Sequence, residues 1–150
     1  MATIIVGVDG SDSAQEALRF AVDEARLRSA GVRAVMGIDL VTVAAGMAGW
    51  GPTGAALDPT ALEHRARAAL DQAVDVLGEP ADVKVERVVK YGQAAQVLIE
   101  EAGGAELLVV GSRGHGGFAG LILGSVSHQC ATHAACPVVI VRAAKKDIAG

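Results

Sequence analysis

The feature that most constrains this fold is a set of short apolar runs with no polar face. Leu107-Leu108-Val109-Val110 contains no side chain that wants water, and Thr3–Val8 (TIIVGV) is nearly as bare. A strand that is wetted on one side alternates polar and apolar residues, whereas a strand covered on both sides does not. Val32–Ile38, Val83–Val89 and Pro137–Val141 read as three further strands, the last with proline at its first position, where the missing N–H costs least. Helical periodicity fills the gaps between them. Ala14, Ala17, Leu18, Ala21, Val22 and Ala25 recur at helical spacing behind a capping box of Ser13 and Glu16, and Gly31 is the expected C′ residue of that helix. Leu62, Ala66, Ala69, Leu70, Ala73, Val74 and Leu77 line a second helix that opens at Asp58-Pro59-Thr60, with Thr60 and Glu63 as a second capping box. Gln93–Ala102 and Ser125–Ala135 read as two shorter helices, and Leu40–Ala56 as a long Gly/Ala-rich connection carrying Trp50.

Strands that alternate with helices predict an α/β fold: one doubly wound, parallel, five-stranded sheet covered by helices on both faces, in a single domain spanning 1–150. At 150 residues the chain can bury a core of its own, and 51% hydrophobic against 20% charged residues excludes a disordered chain.

Charge and composition narrow the partners. Thirteen basic against seventeen acidic residues leave a net charge of −4, so the basic footprint of a nucleic-acid binder is missing. Aromatic residues are 3%, too few for a base-stacking platform. The mean hydropathy of +0.39 raises the question of a membrane. The two stretches without Asp, Glu, Lys or Arg, 40–57 and 114–141, are broken by glycine, proline and histidine, and neither reads as a spanning helix. Met1-Ala2-Thr3-Ile4 has no basic n-region, and Cys130 and Cys136 suit a reducing compartment better than a disulfide framework. The expectation is a cytoplasmic protein with neither nucleic acid nor membrane as partner.

Doubly wound sheets bind ligands beyond the carboxyl ends of their strands, where the strand order reverses. Asp9 follows the first strand, Ile38 and Asp39 end the second, and Gly111-Ser112-Arg113-Gly114 begins a glycine-rich segment after the fourth. That segment runs to Gly124-Ser125-Val126-Ser127 at the start of a helix, where free N–H groups and the helix dipole favour an anion. From Gly114 to Val141 there is no Lys or Arg, so a phosphate there would be held by backbone N–H groups, hydroxyls and a metal ion, with Arg113 as the neighbouring cation. A Walker A loop is excluded because no Gly-Lys pair exists, and a dinucleotide fingerprint is weak because the first acid after Gly111 is Asp147.

Gly111-x-x-Gly114, nine residues, then Gly124-Ser125 reproduces the G-2x-G-9x-G-[ST] pattern of ATP-binding universal stress proteins, and the resemblance covers nearly the whole chain. Ile5-Val6-Gly7-Val8-Asp9-Gly10-Ser11 resembles that family's first strand and turn, and Cys136-Pro137-Val138-Val139-Ile140-Val141 its last strand. The resemblance implies a flavodoxin-like fold with strand order 3-2-1-4-5 and ATP, with Mg or Mn, as ligand. It implies that Asp9 holds the ribose–adenine end, that Ile38 offers its backbone to the adenine edge, and that Gly111 approaches the ribose. Gly114, Gly124, Ser125, Val126 and Ser127 would cradle the phosphates, with Gly7, Val8, Gly10, Val110 and Arg113 completing the nucleotide site. Gly7 departs from the proline of some ATP-binding members, and Arg113 stands where histidine is also seen. The family further implies a homodimer paired through Val138, Val139, Ile140 and Val141. The implied function is an adenine-nucleotide-binding module of stress signalling with at most slow hydrolysis. The alternatives are a nucleotide-free dimeric interaction module and, less favoured, an ATP-cleaving enzyme.

His128, Cys130, His133 and Cys136 are weighed as a metal cluster and set aside, because zinc sites use tighter cysteine pairs. Residues 130 and 133 are expected to share a helix face, and the cysteines to act as small hydrophobes. His64 is read as solvated, and His115, inside the glycine-rich loop, as either a phosphate contact or a solvated loop residue. No residue is assigned a catalytic role: the G-x-S-x-G spacing of a nucleophile elbow is absent.

Overall fold

A computed structural model describes residues 2–46, 58–113 and 123–143. Five strands and five helices follow in the order β1 (Thr3–Gly7), α1 (Asp12–Arg28), β2 (Gly31–Ile38), α2 (Leu40–Gly46), α3 (Pro59–Leu77), β3 (Val85–Tyr91), α4 (Ala94–Glu101), β4 (Leu107–Gly111), α5 (Ser125–His133) and β5 (Val138–Val141). The strands form one parallel sheet in the order β3-β2-β1-β4-β5. The chain winds from β1 outward to β3, then returns to the other side of β1 for β4 and β5, so the switch in strand order falls between β1 and β4.

The unbroken apolar runs are explained by two cores, one on each face of the sheet. Side chains of successive strand residues point to opposite faces. Ile4, Val6, Val32, Ala34, Leu107 and Val109 therefore meet the apolar stripes of α1 (Ala17, Leu18, Ala21, Val22, Ala25) and α3 (Leu70, Ala73, Val74). Ile5, Val35, Leu108 and Val110 point the other way, onto Val97 and Leu98 of α4 and Cys130 of α5. Full burial of a side chain such as Ile4, Leu18 or Leu70 contributes about 1.5–3 kcal/mol.

Helix ends differ from the sequence reading in instructive ways. Ser11, not Ser13, caps α1: it is extended and its hydroxyl accepts the Ala14 N–H at 3.2 Å, while Ser13 lies inside the helix. Gly31 does not end α1. Ser29 does so in the left-handed region (φ 53°), and Gly31 is already the first residue of β2, in register with Thr3. Asp58 caps α3 by accepting the Thr60 N–H, with Pro59 in the first turn; Glu63 instead accepts the Tyr91 hydroxyl. The 40–56 connection opens as helix α2. Asp39 starts it, accepting from the Thr42 hydroxyl (2.8 Å), the Thr42 N–H and the Val41 N–H, which together hold the carboxyl below its usual range. Residues 47–57, Trp50 included, lie outside the described residues. β3 runs two residues further than expected because it follows β2 to its end, Ile38 against Tyr91. Helix α5 stops at His133, short of Ala135.

No described helix is long and apolar enough to cross a membrane.

Candidate functional site

At the β1/β4 switch the carboxyl ends of β1, β2 and β4 open onto a small cleft on the α4/α5 side. Its floor is apolar and narrow: Gly7 and Val8 from β1 and its end, Val35 and Gly37 from β2, Val110 and Gly111 from β4, roofed by Ala94 and Leu98 of α4. Asp9, Arg113, Gly124 and the buried Ser127 also line the cleft.

The glycines are there because neighbouring elements come too close for a side chain. A Cβ on Gly111 would lie 2.7 Å from the Ser13 carbonyl carbon and 2.8 Å from the Ala14 nitrogen, so α1 packs directly on the end of β4. A Cβ on Gly37 would sit 3.2 Å from Ala94 Cα and from the Gly92 carbonyl oxygen.

Asp9 is exposed and its carboxylate accepts the Ser11 N–H at 2.9 Å, closing a turn through Gly10 at φ 85°. Helix α5 begins at Gly124, which offers no side-chain cap. The first helical bond there runs from the His128 N–H to the Gly124 carbonyl, so the N–H groups of Ser125, Val126 and Ser127 precede the helical ladder. Arg113 and the positive end of α5 thus line the same cleft as Asp9. Such a site suits a ligand with an anionic end and a hydroxyl- or amine-bearing end.

Of the residues singled out in the sequence, Gly7, Val8, Asp9, Val110, Gly111, Arg113, Gly124, Val126 and Ser127 line this cleft. Gly10 and Ser125 border it without lining it. Ile38 stands apart, packed with Leu62 and Ala66, and its carbonyl accepts the Gly92 N–H at 2.9 Å. Ser127 is buried, and its hydroxyl donates to the Ser112 carbonyl (3.1 Å) and the Gly124 carbonyl (3.0 Å), so its hydrogen serves the scaffold. Gly114 and His115 lie outside the described residues.

The profile of the universal stress protein family matches residues 1–142. The chain belongs to that family. Among curated relatives, a universal stress protein of Mycolicibacterium smegmatis is 40% identical over 144 residues, covering 93% of this chain and 45% of its own. The chain thus spans about half the length of the curated relatives it matches. The UspA protein of Lactobacillus plantarum shares the fold, at 23% identity, 94% and 97% coverage and a TM-score of 0.75. A universal stress protein solved in complex with cAMP is 28% identical, over 95% of this chain and 98% of that one, with a TM-score of 0.67.

Sequence reasoning missed the apolar half of the cleft. Val35 and Gly37 could have been found by strand alternation, which places both on the face opposite Ala34. Ala94 and Leu98 carry the i, i+4 signal of one helix face, but nothing local says that this face overhangs Gly7. Cys130 and His133 do not share an environment: Cys130 is in the core, where burial pushes its thiol up to about 11, and His133 is exposed. Among the described residues no group of three or more His, Cys, Asp or Glu could hold a metal ion.

Proposed function

We propose that this chain binds an adenine nucleotide, ATP in the first instance, in the β1/β4 cleft, and acts as a homodimeric cytoplasmic module of stress signalling. The observation that carries the reading is the lining of the cleft: Asp9, Arg113 and the start of α5, which has no side-chain cap, together with an apolar floor. In this reading the purine lies on Val35, Gly37, Ala94 and Leu98. Asp9 accepts ribose or purine donors, and Gly111 allows the sugar to approach. The phosphates take N–H groups of Ser125, Val126 and Ser127, with Arg113 countering their charge. Gly114 belongs to the same glycine pattern. A Mg or Mn ion would sit on the phosphates and water rather than on a protein cage, which is usual for Mg²⁺. The family relative in complex with cAMP supports an adenine nucleotide as ligand.

Binding, rather than turnover, fits the chemistry. Asp9 is the one carboxylate among the described lining residues, and in this reading it meets the ribose, away from where a water must be activated for phosphoryl transfer. Dimerisation would use β5, an edge strand whose Val138, Val139, Ile140 and Val141 are each half-buried in the single chain and whose outer edge has no partner strand among the described residues.

Isothermal titration of ATP, AMP and cyclic AMP into nucleotide-stripped protein, with and without magnesium, tests the reading. Saturable binding at one ligand per chain is expected, and the rank order identifies the ligand. Heat equal to buffer for all three would transfer the function to a nucleotide-free interaction module.

A further inference from the structure

Two peptide units carry both positive features of the cleft, and one buried hydroxyl holds them. Ser13 is 4% exposed. Its Oγ donates to the Arg113 carbonyl at 2.5 Å and accepts the Arg113 N–H at 3.3 Å, gripping both polar groups of one residue across 100 positions of sequence. Ser11 Oγ reaches the same carbonyl at 3.3 Å, while its own oxygen caps α1. The preceding unit is held as well. The Ser112 carbonyl accepts the Gly124 N–H at 2.7 Å and the Ser127 hydroxyl at 3.1 Å, and the Ser112 N–H donates to Val141 at 2.8 Å. The start of α5 therefore hangs on Ser112, the Arg113 side chain departs from the next residue, and the absence of a Cβ at Gly111 is what lets Ser13 come this close.

A capping serine would not need this arrangement. Ser11 already caps α1, and alanine is the better helix former at an interior position. A hydroxyl kept inside the helix and aimed at a distant peptide has its purpose at that peptide.

We propose that Ser13 is a positioning residue for the ligand's anionic group: by clasping the Arg113 peptide it sets where Arg113 and the first turn of α5 meet a phosphate. This rests on the nucleotide reading above. Ser13 itself does not line the cleft.

The test separates the anionic end of the ligand from the rest. Titrations of AMP and adenosine into wild type, Ser13→Ala and Asp58→Ala compare the affinity contributed by the phosphate. Asp58→Ala removes the α3 cap, which is not part of the cleft lining, and controls for lost stability. Wild type is expected to prefer AMP over adenosine by about tenfold or more, the order of one charge-assisted contact. In Ser13→Ala that preference should shrink to about threefold or less with adenosine affinity unchanged, while Asp58→Ala keeps the wild-type preference. A Ser13→Ala protein that retains the preference, or that loses both ligands in parallel, overturns the positioning role and leaves the nucleotide reading standing. A wild type that binds neither ligand overturns the clasp's role, and one that also fails to bind ATP and cyclic AMP overturns the nucleotide reading with it. Should Ser13→Ala fail to fold, Ser13→Cys, which fills the space with a weak hydrogen-bonding group, is read by the same criteria.

Discussion

Ser127 and Ser112, fifteen positions apart, are joined by a buried hydrogen bond of 3.1 Å from the Ser127 hydroxyl to the Ser112 carbonyl. It ties the first turn of α5 to the end of β4, and with it the two sides of the 114–122 segment. Ser127→Ala should therefore cost stability. The Ser112 carbonyl keeps the Gly124 N–H, so no acceptor is orphaned, and the loss should be about 1 kcal/mol. For a chain of this size that lowers the melting midpoint by about 2–4 °C. Urea unfolding with an unchanged m-value and a lower midpoint checks it.

Gly7 and Gly111 both line the cleft, and substituting them should have unequal effects. At Gly111 an added Cβ meets the backbone of Ser13 and Ala14, which cannot yield without moving α1 off the sheet. At Gly7 it meets Leu98 Cδ1 at 2.8 Å, the far end of a side chain that can rotate. Gly111→Ala should cost about 2–3 kcal/mol and Gly7→Ala about 1 kcal/mol or less. The double variant Gly7→Ala with Leu98→Ala should be more stable than the sum of the singles, because the colliding methyl is gone. Equal losses for the two single variants in urea unfolding would contradict the packing.

Cys130 and Cys136 should differ as reagents see them. Cys130 is fully buried beneath Val110 and Val126, and burial raises its thiol to about 11. Cys136 is half-buried and raised less, again chiefly by burial. The thiolate is the reactive form, so at pH 8 a thiol reagent should label Cys136 slowly and Cys130 only as the chain unfolds. Mass spectrometry of labelled peptides across a urea series reads both. Early labelling of Cys130 in native buffer would mean that α5 opens locally.

These sites show what a sequence discloses. Strands such as Leu107–Val110 were legible because double-sided burial removes every polar residue, a signal contained in the segment itself. Asp9, Gly111 and Gly124 were legible as site positions because strand ends at a switch point are few. Ser11 and Ser13 were not separable: each sits ahead of the same apolar periodicity, and Ser13 has the better capping partner in Glu16. The choice is made by Arg113, which lies 100 positions from Ser13 and holds its hydroxyl inside the helix. Helix α2 was hidden by its own composition, LVTVAAG, rich in β-branched residues, while the signal that could have exposed it was Asp39 standing as a cap. The apolar floor of the cleft was hidden because Leu98 reaches Gly7 through tertiary packing alone.

Glu101 on α4 gives the last prediction, a dependence of stability on pH. Its side chain is 6% exposed and sits between Arg33 of β2, at 3.1 Å, and Lys90 of β3. Burial alone would raise its carboxyl, but hydrogen bonds from Lys90 and Arg33 outweigh this and hold it below the ordinary 4.5. A carboxyl lowered on folding stabilises the native state above its unfolded value, and that contribution disappears as pH falls through the folded value. The stabilisation is thus complete at neutral pH and is withdrawn as pH drops below about 4.5. Lys90 and Arg33 are partly in water, which screens the pair, so Glu101→Gln should cost about 1–2 kcal/mol at pH 7, less than a fully buried pair would. Asp39 and Asp82 are also held low and remain in the variant, so the quantity to read is the difference between wild type and variant. Urea midpoints measured from pH 7 to pH 3 should converge as acid is added. A gap that stays constant across the range would mean that Glu101 contributes through packing alone.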